Sequence, residues 1–280
     1  MNKTINIKGE LLELSKPVVM GILNITPDSF YSGSRIQGEQ QIVNRVRQIL
    51  DEGGTIIDIG GQSTNPKSTL LSAEEELERL RFALALINKE FPDVIISVDT
   101  FYSEVAKACV EEYGVSIIND ISGGEMDKNM FDVVAELNVP YILMHMRGTP
   151  QTMTQLTDYE NFIQEIFYYF SQKIADLHQR GVNDIIVDPG FGFSKTMDQN
   201  YELMAHLRGF SIFDMPLLVG ISRKRMIYNL TGSVPEDSLN GTTVLNTYAL
   251  QNGADILRVH DVKEAVEAAK IVEKLKEYNF

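Results

Sequence analysis

The chain has 280 residues, 44% of them apolar and 23% charged, with a net charge of −14 and a pI near 4.8. This length supports a sizeable core, and we expect one domain over residues 1–280, because no Pro/Ser-rich linker or low-complexity tract divides the chain. The acid excess argues against general nucleic-acid binding and an anionic membrane surface, the single cysteine excludes an internal disulfide and Cys-rich zinc sites, and no apolar run is long enough to span a bilayer.

Residues 1–15 mix Lys, Glu and Asn with single apolar residues and lack the continuous apolar stretch of a secretory signal, so the expected location is cytoplasmic. Ile5 to Leu14 alternate loosely, as in a short antiparallel hairpin. Val18 to Asn24 reads as a buried strand. Gln40 to Leu50 has helical spacing and stops at Gly53-Gly54. Ile56 to Gly60 is a strand. Ser72-Ala-Glu-Glu opens a helix with a capping-box pattern and acids in its first turn. Strands follow at Val94 to Asp99 and Val115 to Asp120, with a helix from Ser103 to Tyr113 between them. Cys109 lies on that helix among Val105, Ala106 and Val110 and reads as a small core residue. A helix over Lys128 to Leu137, a strand over Tyr141 to His145 and a long helix over Tyr159 to Gln179 come next. Ile185-Ile-Val-Asp188 is a strand buried on both faces that ends in a carboxylate, and Pro189-Gly190 and Gly192 turn the chain at once. A helix over Asn200 to Leu207, a strand over Leu217 to Ser222 and a helix over Asn240 to Gln251 follow. The strand Ile256 to His260 and the amphipathic helix Val262 to Leu275 close the chain.

Eight strand–helix units in alternation, at this length, predict a TIM (β/α)8 barrel of α/β class with a short N-terminal β-hairpin. A doubly wound open sheet is the alternative, but usually has fewer units.

In such a barrel the carboxyl ends of all strands meet on one face. The residues there are Asn24, Asp58, Asp99, Asn119 with Asp120, His145, Asp188, Ser222-Arg223-Lys224, and Arg258 with His260. So many converging polar groups read as a site rather than as separate loop caps. The ring has two halves. Asp99, Asn119 and Asp188 suit a flat heterocycle with several N–H donors, because one carboxylate accepts two parallel N–H bonds. A plain helix N-cap is the other reading of Asp99. The second half is cationic, with Lys224, Arg258 and His260 after strands seven and eight, where barrels often hold phosphate; Arg223 and Arg225 have the alternative of pairing with surface acids. Thr64, in the Gly-Gly-Gln-Ser-Thr-Asn loop, offers hydroxyl and backbone donors to an anion. Phe30, in the polar loop Thr26 to Ser34, marks that loop as a lid. Met144 is either barrel packing or lining for an aromatic ligand. The strand after residue 17 carries no Gly-x-Gly-x-x-Gly, and the chain has neither a Walker A loop nor a Ser nucleophile elbow. This counts against a dehydrogenase, an NTPase and a serine hydrolase.

Seven ordered motifs carry a resemblance over nearly the whole chain. They are Gly21-Ile-Leu-Asn-Ile-Thr-Pro-Asp-Ser-Phe30, Asp58-Ile-Gly-Gly-Gln-Ser-Thr64, Val98-Asp-Thr100, Ile118-Asn-Asp-Ile-Ser-Gly-Gly124, Asp188-Pro-Gly-Phe-Gly-Phe193, Gly220-Ile-Ser-Arg-Lys224 and Leu257-Arg-Val-His-Asp261. Together they resemble the dihydropteroate synthase family. The resemblance implies a (β/α)8 barrel that joins 4-aminobenzoate to (7,8-dihydropterin-6-yl)methyl diphosphate with Mg2+, in folate synthesis. It also implies a homodimer and a sulfonamide target. It places Asp99, Asn119, Asp188 and Lys224 on the pterin, with Arg258 against it and Asp58 and Met144 in the same pocket. Asn24 would hold Mg2+ on the diphosphate, and Thr64, Arg258 and His260 would bind the diphosphate. Phe193, Pro66, Lys224 and the loop with Phe30 would frame 4-aminobenzoate. Lys224, Arg258 and Asp99 are the catalytic candidates.

The chain departs from the family pattern at Asn65, where Ser-Thr-Arg-Pro is usual, and at Gln62 and Ser194, where Glu and Gly are commoner. Asn65 lacks a charged fork, so Lys67, Arg35 or Arg225 compensates, the acceptor differs or the chain is impaired. Two other functions fit part of the pattern. A methyltetrahydrofolate:corrinoid methyltransferase would share the acidic pocket but need no diphosphate site, and a silent paralogue would bind pterin or a partner without turnover.

Overall fold

Strand residues of this chain alternate between two environments, and that alternation builds the fold. The computed structural model describes residues 3–25, 35–62, 66 and 68–278. Eight parallel strands run in the order β8-β7-β6-β5-β4-β3-β10-β9. They are β3 (Val18–Asn24), β4 (Ile56–Gly60), β5 (Ile95–Asp99), β6 (Ile117–Asp120), β7 (Tyr141–Met144), β8 (Ile185–Asp188), β9 (Leu218–Val219) and β10 (Ile256–Val259). A parallel bridge between Val187 and Leu217 joins β8 to β9 and closes the sheet into a barrel. The expected hairpin is β1 (Thr4–Ile7) paired antiparallel with β2 (Glu10–Glu13).

Because the pleat has period two, alternate residues of each strand face opposite sides. Met20, Ile56, Ile117, Ile142, Ile186, Leu218 and Ile256 form the interior layer at the base, and Ile5 and Leu14 around the hairpin pack against it as a plug. Their neighbours Val19, Ile57, Ile118, Leu143, Val187, Val219 and Leu257 belong to the outer core, where the helices pack. Counting on by two from the basal layer gives Ile22 and Asn24, Asp58 and Gly60, Ser97 and Asp99, Asn119, Met144, Asp188, Gly220 and Arg258. The polar interior residues therefore gather at the carboxyl end, above an apolar floor.

The helices are α1 (Arg35–Asp51), α2 (Ala73–Glu90), α3 (Ser103–Tyr113), α4 (Met130–Leu137), α5 (Phe162–Gln179), α6 (Met197–Ala205), α7 (Arg225–Thr231), α8 (Leu239–Gln251) and α9 (Val262–Lys276). Ser72 caps α2 with the expected capping box. Several helix bounds differ from expectation: α1 begins five residues before Gln40, α4 two residues after Lys128 and α5 three residues after Tyr159. α6 begins three residues earlier than Asn200, because Thr196 and Gln199 form a second capping box there. α7 was not foreseen, because its seven residues are too few to show a period. None of the described helices is long and apolar enough to cross a membrane.

One glycine matters for the site. Gly190 turns the chain after β8 with φ of +70°, and a Cβ there would collide with the His145 carbonyl oxygen. Gly190→Ala is therefore expected to cost about 3 kcal/mol or more, from left-handed strain plus displacement of β7. A urea midpoint compared with wild type checks this.

Candidate functional site

A cavity of about 900 Å3 opens at the carboxyl end of the barrel. Asn24, Asp99, Asn119, Met144, Asp188, Lys224, Arg258, His260, Phe193 and Pro66 all line it. Asp58 lies beneath it, fully buried. Thr64, Asn65 and Phe30 fall outside the described residues.

Arg258 organises the floor. Its Nε donates to Asp58 Oδ2 at 2.6 Å and its Nη2 to Asp99 Oδ2 at 2.8 Å. Asn119 Nδ2 donates to the same Asp58 oxygen at 3.1 Å, so its amide oxygen is turned away from that bond. Burial opposes the guanidinium charge, but Asp58 and then Asp99 outweigh it and hold the Arg258 pKa above its ordinary value. Burial pushes the Asp99 carboxyl up, against the pull of Arg258, with Asp58 adding to the rise. Asp99 is thus an ion-pair partner in the cavity; the alternative of a helix N-cap is not realised, since α3 begins after Tyr102 without a side-chain cap.

The wall after β8 holds Asp188. Its Oδ1 accepts the Gly190 N–H at 2.8 Å, which fixes the carboxylate plane. Burial raises its pKa, and Lys224 works against that rise. Lys224 donates to the Phe191 carbonyl oxygen, and its Nζ lies 4.5 Å from the centroid of the Phe193 ring. Burial lowers the Lys224 pKa to about 8, with Asp188 opposing. Three carboxylates and two cations therefore share one floor.

At the other rim Ser222 Oγ accepts the His260 backbone N–H at 3.2 Å and lies 3.1 Å from His260 Nδ1. In the tautomer where the Ser222 hydroxyl donates to Nδ1 while accepting the backbone N–H, the ring proton sits on Nε2. Burial against the rim, then the Arg258 charge, lowers the His260 pKa to about 4. His260 thus serves as a neutral N–H donor. Arg45, on α1, donates to the His260 carbonyl at 2.5 Å and so ties this rim to the neighbouring helix.

Besides Asp58 beneath it, two members of the expected ring do not line the cavity, because their side chains face outward. Asp120 follows inward-facing Asn119, so it points outward, where it accepts from Ser122, Gly124 and the Tyr141 hydroxyl. His145 follows inward-facing Met144, and it is buried outside the barrel against Tyr169. Arg223 lines the cavity, but its guanidinium is held by Asp261 and by the Pro235 and Glu236 carbonyls. Met144, 2% exposed, both packs in an apolar cluster with Met153 and lines the cavity. The sequence reading did not single out Arg79, which lines the cavity and donates to the Gly61 carbonyl.

The described residues contain no group of three or more His, Cys, Asp or Glu able to cage a metal ion. The cationic half does offer the Asn24 amide, exposed at the end of β3 beside Gly60. A single protein oxygen fits a hard divalent cation that keeps its waters and is held chiefly by substrate phosphates.

A buried acid lies under the loop that follows β4. Glu76 on α2 is fully buried, accepts from Thr100 Oγ1 at 2.8 Å, and leaves Oε1 with no partner among the described residues. Burial raises its pKa to about 8, although the Thr100 bond opposes this. Between pH 4.5 and 8 the folded chain keeps a proton that the unfolded chain has released, so this group makes stability fall as pH rises. Glu76→Gln should remove that slope and raise stability at pH 8.5 by as much as about 4 kcal/mol. Urea midpoints measured across this range check it; parallel curves for variant and wild type would refute the assignment.

Comparison with known proteins agrees with this geometry. The profile of the pterin binding enzyme family matches residues 20–260. The dihydropteroate synthase of Escherichia coli K12 is 42% identical over 268 residues, which cover 95% of this chain and 94% of that protein. Among solved structures, a Yersinia pestis dihydropteroate synthase in complex with a sulfonamide drug superposes with a TM-score of 0.90 at 38% identity, covering 99% of this chain and all of that one. A Xanthomonas albilineans dihydropteroate synthase with 4-aminobenzoic acid superposes at 0.87, with 35% identity and 99% of both chains covered.

Proposed function

The chain belongs to the pterin binding enzyme family and has the activity of a dihydropteroate synthase in folate biosynthesis, and from that premise we propose how its own residues carry the reaction. The enzyme joins (7,8-dihydropterin-6-yl)methyl diphosphate to 4-aminobenzoate and releases diphosphate. The observation that carries the residue assignment is the floor itself: Asp58, Asp99, Asn119 and Asp188 on inward positions of β4, β5, β6 and β8, with Asp58 and Asp99 clamped by Arg258 and the floor faced by Lys224.

The pterin lies on that floor. Asp188 offers its unclamped oxygen to the ring amidine, and the Asn119 amide oxygen and Asp99 take further N–H groups. Arg258 holds Asp58 and Asp99 in place and supports the ring from one side. The diphosphate faces His260 Nε2–H and the Arg258 charge, with Thr64 expected to add donors. Asn24 would hold Mg2+ beside the diphosphate, where the ion would supply charge neutralisation for the leaving group. The C–O bond to the diphosphate breaks first, leaving a pterin methyl cation that the surrounding carboxylates stabilise. The amine of 4-aminobenzoate then attacks this carbon and loses a proton. Lys224, Phe193 and Pro66, with Phe30 on the lid, frame the acceptor, and a sulfonamide takes the same place. The cationic half weighs against the methyltransferase reading, which has no use for a diphosphate site.

We also place a homodimer contact on the outer faces of α8 and α9. These helices pack side by side and expose Val244 and Tyr248, and Ile271 and Leu275, each pair at four-residue spacing. Diphosphate release that depends on 4-aminobenzoate tests the function: it is expected in the full chain, and pterin binding without release would show a silent protein, with Asn65 as the first residue to examine.

A further inference from the structure

Lys195 is a buried lysine that none of the proposed chemistry uses. It is 9% exposed, and its Nζ lies 2.9 Å from His145 Nδ1, 2.9 Å from the Gly190 carbonyl oxygen and 3.0 Å from the Phe193 carbonyl oxygen. An ammonium has three N–H groups, and these three short contacts take one each, with the His145 carbonyl oxygen a longer fourth contact at 3.4 Å. Burial lowers the pKa values of both Lys195 and His145. The contacts survive that change. A neutral amine still donates to the two carbonyls and accepts the proton of His145 in its other tautomer.

Gly190 and Phe193 are the two ends of the turn after β8, and the Phe193 N–H also bonds the Gly190 carbonyl at 3.2 Å. Between them Phe191 presents its carbonyl oxygen to Lys224, and the Phe193 ring lies under the Lys224 ammonium. This segment has no helix or strand of its own, so side chains behind it fix its shape. Asn200 accepts the Gly192 N–H at 2.6 Å, and Ser194 Oγ accepts the Arg147 N–H at 2.9 Å. Lys195 is the group that reaches both ends of the turn and the end of β7 at once.

We propose that Lys195 is a positioning residue for the acceptor: by pinning the Gly190 and Phe193 carbonyls to His145, it sets the wall of Phe193 and Lys224 against which 4-aminobenzoate lies. The inference rests on the assignment of that wall to the acceptor given above. Asn119 and Arg258 stand on strands away from this turn, and Asp188 on β8 touches it only through the Gly190 N–H, whereas Phe193 and the Phe191 carbonyl that Lys224 meets belong to the turn itself, so loss of the brace bears on one substrate more than the other.

Steady-state kinetics of the full chain test this, with each substrate varied in turn. Lys195→Met is expected to raise the KM for 4-aminobenzoate at least tenfold while the KM for the pterin diphosphate changes less than threefold. Lys195→Gln keeps two N–H donors and is expected to raise the acceptor KM three- to tenfold; it carries the test alone if the methionine variant does not fold. A wild type without 4-aminobenzoate-dependent turnover would overturn the acceptor assignment itself. With an active wild type, variants in which both KM values move together, or neither moves, overturn the role of Lys195 and leave that assignment standing.

Discussion

Replacing Arg258 with methionine is expected to lower kcat/KM for the pterin diphosphate by about 10^3-fold or more and to destabilise the fold by about 3–5 kcal/mol. The two effects share one cause. Arg258 spans Asp58 and Asp99 with separate N–H groups, and Asp58 is fully buried. Without the guanidinium, two neighbouring carboxylates lose their counter-charge, one of them with no access to water. Arg258→Lys should not restore function, because a single ammonium cannot span both acids in the geometry of the fork. Chemical denaturation and kinetics on the same preparations check both parts. A methionine variant of wild-type stability would show that the acids were not relying on this clamp.

The second large effect belongs to Asp188. Asp188→Ala is expected to reduce turnover to the limit of detection, because it removes the acceptor for the pterin amidine together with the anchor of the Gly190 turn. Asp188→Asn separates the two roles. Its amide oxygen still accepts the Gly190 N–H, but its amide nitrogen then faces the ring donors, leaving donor against donor in a buried pocket. We expect a loss of about 10^3-fold or more in kcat/KM for the asparagine variant, with thermal stability close to wild type. Near-normal dihydropteroate formation by either variant would refute the assignment.

Much of this was legible from the sequence, and the reason is geometric. Apolar β-branched strands bounded by glycine turns fixed the barrel and its strand order. The polar strand ends marked the cavity, because a parallel barrel has nowhere else to collect them. The misplacements follow from the pleat. Asn119 and Asp120 are adjacent, as are Met144 and His145, and only one of each pair can face inward. Counting in twos from Ile117 and Ile142 would have set Asp120 and His145 outside. Lys195 was illegible for another reason: its partners are loop carbonyls and the His145 ring just past β7, and neither spacing nor composition reports such contacts. The helix α7 hid because about two turns carry no readable period.

The central claim is that one cup binds the pterin on its acidic floor and the diphosphate on its cationic rim. A crystal structure of the full chain with pterin diphosphate bound tests it most directly. The account predicts the ring amidine within hydrogen-bonding distance of Asp188, with Asn119 and Asp99 alongside, and the terminal phosphate against His260 and Arg258. A ligand seated elsewhere, or reversed so that its phosphates meet Asp188, would contradict it.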